Sequence, residues 1–406
     1  MSKDKSAFFT TKDGHPWSKT KDSLLGCYLK PFFDKTYGHS QDGYVYVDAF
    51  AGPGEYSSGE VGSPILAIQR LQATARGRRN KCCAQFIFGE ANGRDRARLK
   101  AASDKACGSV NYLRTPLICE SFEDALTVAQ QSKPVSSKRP ATIFYYVDPY
   151  GVKDFRLDLL CQSPNFAHTE ALVNFNTVGF MRDGADALRI ALERPTGVSV
   201  VDCGFDDNVP MTERIQRLNA CIGGDGWQEI LTRKGLDYWE RERLIGQLFC
   251  SNARRSYQYV TNMPIKDMTR MVNKGGEIKY RLVHMTNSID GCLLMNDNML
   301  KRNNDEQVIQ HELFKVDVDH RDVDSAAIVQ DIQAAIESLP AGRSVKMGVF
   351  AAGIINAYGV FDRTTVLLKT YLGPFLDSGA IVRDKPFTPT HKPSRSFNPK
   401  ERVHRA

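Results

Sequence analysis

Short apolar runs alternate with amphipathic stretches between residues 44 and 180. The runs predict five β-strands, at residues 44–48, 84–90, 111–119, 142–148 and 171–176. The stretches between them predict helices at residues 63–75, 95–102, 122–131 and 154–161. Alternation of strands and helices is typical of a parallel sheet with helices on both faces. We therefore expect an α/β fold whose ligands bind at the carboxyl ends of the strands.

The pattern differs on either side of this region. Residues 1–43 predict an N-terminal extension that contains one helix, and residues 181–255 predict a helical insertion. Two strand-like runs at 257–264 and 278–284 follow the insertion. They predict a hairpin that closes the sheet, which gives an α/β domain over residues 44–310.

The C-terminal quarter predicts a second, smaller domain. Three helical stretches and a short strand lie at residues 326–338, 345–357, 363–378 and 380–383. This order of elements is typical of a winged helix, which we place at residues 324–383. The last 24 residues carry seven Lys or Arg against two acids, with Pro and Ser between them. We expect residues 384–406 to form a basic disordered tail.

Composition adds little to this picture but excludes several classes of protein. The chain has 406 residues and a net charge of +7, and no apolar run approaches the length of a membrane span. The N-terminus lacks the apolar segment of a signal peptide. Ten cysteines include no C-x-x-C pair, and the acid-rich segment 317–324 lacks the features of a calcium loop. We predict a cytoplasmic protein with reduced thiols, no membrane partner and no metal.

One motif follows the first predicted strand directly. Residues 46–55 have the sequence YVDAFAGPGE, in which Asp48 ends the strand and Phe50, Gly52 and Gly54 follow. Glycines after a strand let the backbone approach a ligand closely. The pattern D-x-F-x-G-x-G resembles motif I of class I S-adenosylmethionine-dependent methyltransferases, whose glycine turn passes under the amino-acid part of the cofactor.

Two other interpretations of this motif remain open. A dinucleotide site has the pattern G-x-G-x-x-G, but here Ser57 occupies the third glycine position. Asp48 would also repel a pyrophosphate, whereas a sulfonium cofactor is positively charged. The simplest alternative is an ordinary Gly-Pro-Gly turn with no ligand.

The ends of the second and third strands carry further candidates for cofactor binding. Glu90 ends the second strand, where an acid can accept hydrogen bonds from both ribose hydroxyls; the alternative is a surface glutamate. Ser121 and Asp124 predict a helix cap, and Phe122 is placed to lie against an adenine. The predicted cofactor site therefore spans three neighbouring strand ends.

The end of the fourth strand carries a second motif. Asp148, Pro149, Tyr150 and Gly151 resemble the D/N-P-P-Y motif of amino-methylating nucleic-acid methyltransferases. In that motif the acid or amide and a proline carbonyl bind the target amine, and the aromatic ring stacks on the extruded base. One proline is missing here, which leaves the target open; the alternative is a strand-ending Asp-Pro turn.

Three further polar residues are candidates for substrate binding. Asn174 and Asn176 end the fifth strand and are expected to line the same cleft. Lys21, with His15 and Trp17, precedes the sheet. These N-terminal residues either fold over the cofactor and contact phosphate or form the solvated start of a helix.

Together these motifs resemble the three-Cys-motif partner proteins of bacteria. The residues that carry the resemblance are His15-Pro16-Trp17 with Lys21, then 46–54, 62–64, 147–151 and 173–175. The resemblance covers roughly residues 10–300. It implies a Rossmann-like class I methyltransferase sheet that binds S-adenosylmethionine. The family name also implies a companion protein that resembles a radical-S-adenosylmethionine protein.

The first hypothesis is an S-adenosylmethionine-dependent methyltransferase that acts on a base amine of DNA or RNA. In it, the winged helix and the basic tail hold the polynucleotide. A second hypothesis is a nucleic-acid-binding or scaffolding protein with a vestigial methyltransferase fold. A third is a methyltransferase for a small molecule or a protein.

Overall fold

The computed structural model describes residues 16–38, 40, 43–132, 141–162, 168–193, 209–267, 277–309, 324–384 and 397–406. Within these residues, helices and strands alternate through the first part of the chain as predicted. No helix among them is both long and apolar enough to cross a membrane.

A central sheet of seven strands organises the fold. The strands are β1 (Tyr44–Asp48), β2 (Ala84–Gly89), β3 (Leu117–Cys119), β4 (Thr142–Val147), β5 (His168–Phe175), β6 (Tyr259–Asp267) and β7 (Glu277–Thr286). Their order across the sheet is β3-β2-β1-β4-β5-β7-β6. Strand β7 is antiparallel to both of its neighbours, β5 and β6, and the other neighbouring strands are parallel. The mostly parallel sheet is compatible with a Rossmann-like fold, and the predicted hairpin forms its last two strands.

The register of the sheet aligns the predicted site at one edge. Asp48 of β1 lies opposite Phe88 of β2 on one side and Tyr146 of β4 on the other. The chain leaves β1 towards β2 and β3, then returns to form β4 on the opposite side of β1. This reversal is the switch point at which open α/β sheets bind their ligands.

Helices cover both faces of the sheet. The helices up to the hairpin are α1 (Pro16–Thr36), α2 (Ser63–Ala75), α3 (Gly93–Cys107), α4 (Phe122–Gln131), α5 (Leu157–Leu160), α6 (Thr177–Leu188), α7 (Met211–Ile222), α8 (Trp227–Thr232) and α9 (Tyr238–Ala253). Alternate β1 residues point to opposite faces, as the two-residue period of a strand requires. Tyr44 and Tyr46 pack with α1 and α2, whereas Val45 and Val47 pack with α4 to α9.

The C-terminal unit adds helices and a small sheet. Its elements, which follow α10 (Ile289–Ile309), are α11 (Ser325–Glu337), β8 (Val345–Lys346), α12 (Gly348–Tyr358), α13 (Thr364–Leu367), a π-helical turn (Leu368–Leu372), α14 (Gly373–Asp377), β9 (Ile381–Arg383) and β10 (Arg402–Arg405). The unit shares one hydrophobic core with α1 and α2. Asn356 ties it to the sheet, because its Oδ1 accepts hydrogen bonds from Val260 N at 2.9 Å and Arg254 Nε at 3.1 Å.

The prediction of a disordered tail is wrong for residues 397–406. In these residues β10 lies between β8 and β9 in a three-stranded antiparallel sheet. Val403 is fully buried, and Glu401 forms an ion pair with Arg383 at 2.6 Å. Burial of one apolar side chain and pairing of one acid therefore order a segment whose composition predicted disorder. Residues 385–396 of the predicted tail lie outside the described residues.

Other boundaries differ for local reasons. The third strand was predicted over 111–119 but is regular only at Leu117–Cys119, at the edge of the sheet. The helix predicted at 363–378 is divided by the π-helical turn. Pro374 follows that turn, and its ring cannot fit an unbroken α-helix.

Candidate functional site

A cavity of about 940 Å³ opens at the carboxyl ends of β1 to β4, and we call it the strand-end cavity. Its volume lies in the range of about 300–1,000 Å³ that is typical of small-molecule sites. The structure brings together nine of the residues predicted from the motifs. The predicted residues that line it are Phe50, Gly52, Gly54, Glu90, Ser121, Phe122, Asp148, Pro149 and Tyr150.

The glycine turn after β1 forms one wall of the strand-end cavity. Gly52 and Gly54 have φ angles of 61° and 82°, a left-handed conformation that favours glycine. A Cβ atom on Gly54 would also lie 3.2 Å from a methyl group of Leu99. Hydrogen bonds fix the turn on both sides, from Ala51 N to Gly89 O and from Gly62 N to Gly54 O, each at 2.8 Å. The turn therefore presents backbone to the cavity in one fixed conformation.

Asp48 lies beneath this turn and not in the lining of the cavity. Its carboxylate is fully buried and accepts a hydrogen bond from Ser63 Oγ at 2.5 Å. The Phe50 amide donates a longer bond to Asp48 Oδ1 at 3.4 Å. Asp48 thus connects the glycine turn to the first residue of α2. Ser63, which lines the cavity, was not predicted; its position after Gly62 at a helix start was the available signal.

Glu90 lies at the end of β2 with its carboxylate held by the backbone. The Asn92 amide donates to Glu90 Oε1 at 2.7 Å. Asn92 in turn caps α3, because its Oδ1 accepts hydrogen bonds from Arg94 N and Asp95 N. An acid is thereby oriented at the rim of the cavity, as hydrogen bonding to two ribose hydroxyls requires.

The aromatic wall is built from Phe50 and Phe122. The two rings stack with centroids 5.6 Å apart and planes 17° apart. Ser121 caps α4 as predicted, since its Oγ accepts from Asp124 N at 3.0 Å and donates to Asp124 Oδ2 at 2.7 Å. The cap fixes Phe122 as the first residue of α4. Contact between this wall and an adenine stays a prediction.

Asp148, Pro149 and Tyr150 line the cavity at the end of β4, the strand beside β1. Asn174 Nδ2 donates a hydrogen bond to Asp148 Oδ1. Tyr150 is 42% exposed and lines the cavity.

The three predicted substrate-binding residues have different positions. Asn174 is buried behind Asp148 and supports it. Asn176 caps α6 by accepting from Gly179 N at 2.8 Å, which is a structural role. Neither asparagine lines the strand-end cavity, contrary to expectation. Lys21 lies in α1, and its side chain is outside the part of the chain that the structure describes.

The lining of the strand-end cavity is strongly acidic. Eight carboxylates line it against three cations, Lys153, Arg156 and Arg217. Arg217 comes from α7, where it pairs with Glu213 at 2.6 Å, and no sequence motif marked this helix. A hydrogen bond from Arg156 to Asp158 raises the pKa of the guanidinium, which is therefore a permanent cation. Among the described residues, no group of His, Cys, Asp or Glu is arranged to hold a metal ion.

Comparisons with known proteins add only distant structural likeness. No protein-family model matches the sequence, and no curated protein matches it. Among solved structures, the chain is similar to the crystal structure of protein LPL1258 from Legionella pneumophila str. Philadelphia 1, described as family-model DUF519. The TM-score is 0.35 and the identity 8%, over 66% of this chain and 85% of that chain. At this level the likeness carries no argument about function.

Proposed function

We propose that the chain is an S-adenosylmethionine-dependent methyltransferase that acts on a base amine of nucleic acid. One observation carries the proposal: a single cavity joins the glycine turn at Gly52 and Gly54, the oriented acid Glu90, and the Asp148-Pro149-Tyr150 wall. S-adenosylmethionine, when bound, supplies the methyl group. The glycine turn would pass under its amino-acid part, and Glu90 would accept hydrogen bonds from its ribose.

The topology of the sheet supports this assignment. Strands β1 to β5 follow the doubly wound order 3-2-1-4-5, and β7 lies antiparallel between β5 and β6. A closing antiparallel hairpin is what the resemblance to class I methyltransferases implies. The C-terminal unit joins four helices to a three-stranded antiparallel sheet, which is consistent with a winged helix that holds polynucleotide.

The charge of the strand-end cavity supports a cationic cofactor. Eight carboxylates line the cavity with three cations, and Arg96 and Arg98 pair with two of the acids from outside the lining. The remaining excess of negative charge attracts a sulfonium and repels a pyrophosphate. Asp48 adds a ninth carboxylate directly beneath the glycine turn. The dinucleotide interpretation of the motif is therefore disfavoured by the side chains around it.

The part of the cavity lined by Asp148, Pro149 and Tyr150 suits a planar ring that carries an amine. The Asp148 carboxylate, held by Asn174, would accept a hydrogen bond from the amine and orient its lone pair towards the methyl donor. The exposed Tyr150 ring would stack on the base. A base extruded from its strand can enter an acidic cavity because its phosphates stay outside.

Calorimetric titration with S-adenosylmethionine tests the cofactor site. Glu90→Gln keeps an oxygen for the Asn92 amide but removes the charge. Hydrogen bonds to charged groups contribute about 1.5–3 kcal/mol, so we expect the variant to bind at least about tenfold more weakly. Asp104→Asn is the matched control, because Asp104 is an exposed acid near the end of α3 that pairs with Lys100. Equal affinity of Glu90→Gln and the wild type would contradict the assignment.

Transfer of labelled methyl groups to total RNA and to genomic DNA tests the reaction. Asp148→Ala is expected to abolish transfer and to leave the affinity for S-adenosylmethionine nearly unchanged, because the proposed cofactor contacts come from the glycine turn, Glu90 and Phe122. Retained turnover in Asp148→Ala would refute its role. Cofactor binding without transfer to either polymer would favour a small-molecule or protein acceptor.

A further inference from the structure

A second cavity, which we call the cationic groove, lies between α1, α2 and α10. It measures about 370 Å³ and differs from the strand-end cavity in its charge. Lys30 of α1, Arg70 of α2 and Lys301 of α10 converge on it, and Asp297 is the only acid in its lining. Three helices that are distant in sequence therefore bring three cations to one place.

Arg70 is the residue that points most clearly to a ligand. Its Nε atom is buried and has no hydrogen-bond partner. A Cβ atom on Gly26 would lie 3.4 Å from Arg70 Nη2, so the absence of a side chain there lets α1 pack directly against the guanidinium. A buried donor without a partner is destabilising, and more so when it is charged. Arg70 is only half-buried and lines the groove, so an anion there can approach its guanidinium.

The acid in the groove does not neutralise these cations. Asp297 Oδ1 accepts hydrogen bonds from Thr364 N at 2.8 Å and Thr364 Oγ1 at 2.9 Å, which fixes the start of α13. Lys301 makes no hydrogen bond or ion pair within the described residues. Lys30 pairs with Asp34 at 3.0 Å, but that pair is exposed and therefore weak. The groove keeps an excess of positive charge.

We propose that the cationic groove binds a backbone phosphate of the nucleic-acid acceptor, an inference that rests on the proposed function. Arginine is suited to phosphate because its planar fork can donate two hydrogen bonds to one anion. The position of Arg70 relative to the strand-end cavity also agrees with a polynucleotide ligand. It lies seven residues after Ser63, two turns along the same face of α2, and Ser63 lines the strand-end cavity.

The two positions on α2 lie at a distance that one polynucleotide strand can span. Seven residues of α-helix rise about 10 Å. A phosphate in the cationic groove can therefore belong to the same strand as a base in the strand-end cavity.

Binding of fluorescein-labelled single-stranded RNA and DNA oligonucleotides, measured by anisotropy across a salt series, tests the groove. The test variant is Arg70→Gln with Lys301→Gln. The matched control is Arg79→Gln with Lys105→Gln, which removes two exposed cations from α3 and the loop after α2. Each phosphate contact on a single strand contributes about 0.7 to the salt slope. We expect the test variant to lose about 1.4 from the slope and about tenfold in affinity near 0.15 M salt.

The outcomes separate this inference from the proposed function. Loss in the test variant alone, with S-adenosylmethionine affinity unchanged, supports the groove even where no methyl transfer is found. Equal losses in test and control variants overturn it, because they show a general effect of charge. A wild-type protein that binds inorganic phosphate in calorimetry but no oligonucleotide also overturns it, since the groove then serves free phosphate.

Discussion

The buried ion pair between Arg281 and Glu242 allows a quantitative test of the structure. The pair is bidentate, with Arg281 Nη2 to Glu242 Oε2 at 2.6 Å and Nε to Oε1 at 2.8 Å. Thr177 donates to Glu242 Oε1 at 2.6 Å, and Asn262 accepts from Arg281 Nη1 at 2.8 Å. The Glu242 side chain is 0% exposed. The pair therefore connects α9, β7 and the first residue of α6 in the interior.

Arg281→Met would leave the Glu242 carboxylate buried with only the Thr177 hydroxyl as a partner. Removing one member of a buried pair costs about 3–5 kcal/mol, whereas replacing both by apolar residues is often neutral. We expect Arg281→Met to lose stability in that range. Adding Glu242→Leu to Arg281→Met should restore most of the lost stability, because no charge then remains buried.

Urea unfolding followed by circular dichroism and by tryptophan fluorescence measures these differences, provided that the two signals change together. Arg233→Met is the control, because its pair with Glu229 is exposed and should contribute less than about 1 kcal/mol. The reasoning is refuted if Arg281→Met loses no more than Arg233→Met. It is also refuted if the double variant is as unstable as Arg281→Met alone.

Two further predictions concern the strand-end cavity and the thiols. Gly89→Ala places a Cβ atom 2.6 Å from the Ala49 carbonyl oxygen. We expect the variant to lose about 1–3 kcal/mol of stability and to bind S-adenosylmethionine more weakly. Thermal midpoints and calorimetry measure the two effects, with Gly353→Ala as the control, because a Cβ atom there has nothing within 4 Å. Burial raises the pKa of Cys292 to about 12, while an unfolded thiol titrates near about 8.5. The folded state holds the Cys292 proton more tightly than the unfolded state does. The contribution of the protonated thiol to stability is therefore complete below about pH 8.5 and is lost as the pH rises towards 12. Cys292→Ala should make the alkaline fall in melting temperature shallower, and an unchanged slope would contradict the assignment.

Local sequence signals predicted much of the site because they act over few residues. The bounds of α4 agree with prediction because Ser121 and Asp124 form a cap that any chain of this sequence can make. The glycine turn was predicted because positive φ angles at Gly52 and Gly54 require residues of that type. The parallel order of the strands then predicted that these residues lie together at the carboxyl edge of the sheet.

Features that depend on distant contacts were not predictable in this way. Strand β10 has one buried apolar residue, Val403, and it forms because β8 and β9 lie on either side of it. Asn176 was expected in the cleft, yet the start of α6 uses its side chain as a cap. The Asp48–Ser63 bond joins residues that two different motifs contain. Tertiary packing decides the first and the last of these features. The Asn176 cap is instead a local contact with Gly179 N, one of two roles that the local sequence allows.

Helix α2 connects these features, because it borders both cavities. Its first residue, Ser63, holds Asp48 under the glycine turn, and Arg70 lies in the cationic groove two turns later. The lining of the strand-end cavity carries more acids than cations, and that of the groove more cations than acids, so we expect the first to disfavour phosphate and the second to attract it. A small phosphorylated acceptor would bring its anion into the acidic cavity together with its reactive group. A polynucleotide separates the two, since the base enters one cavity while a phosphate several ångströms away binds in the other. The opposite charges at the two positions on α2 therefore favour a polymeric acceptor over a small one.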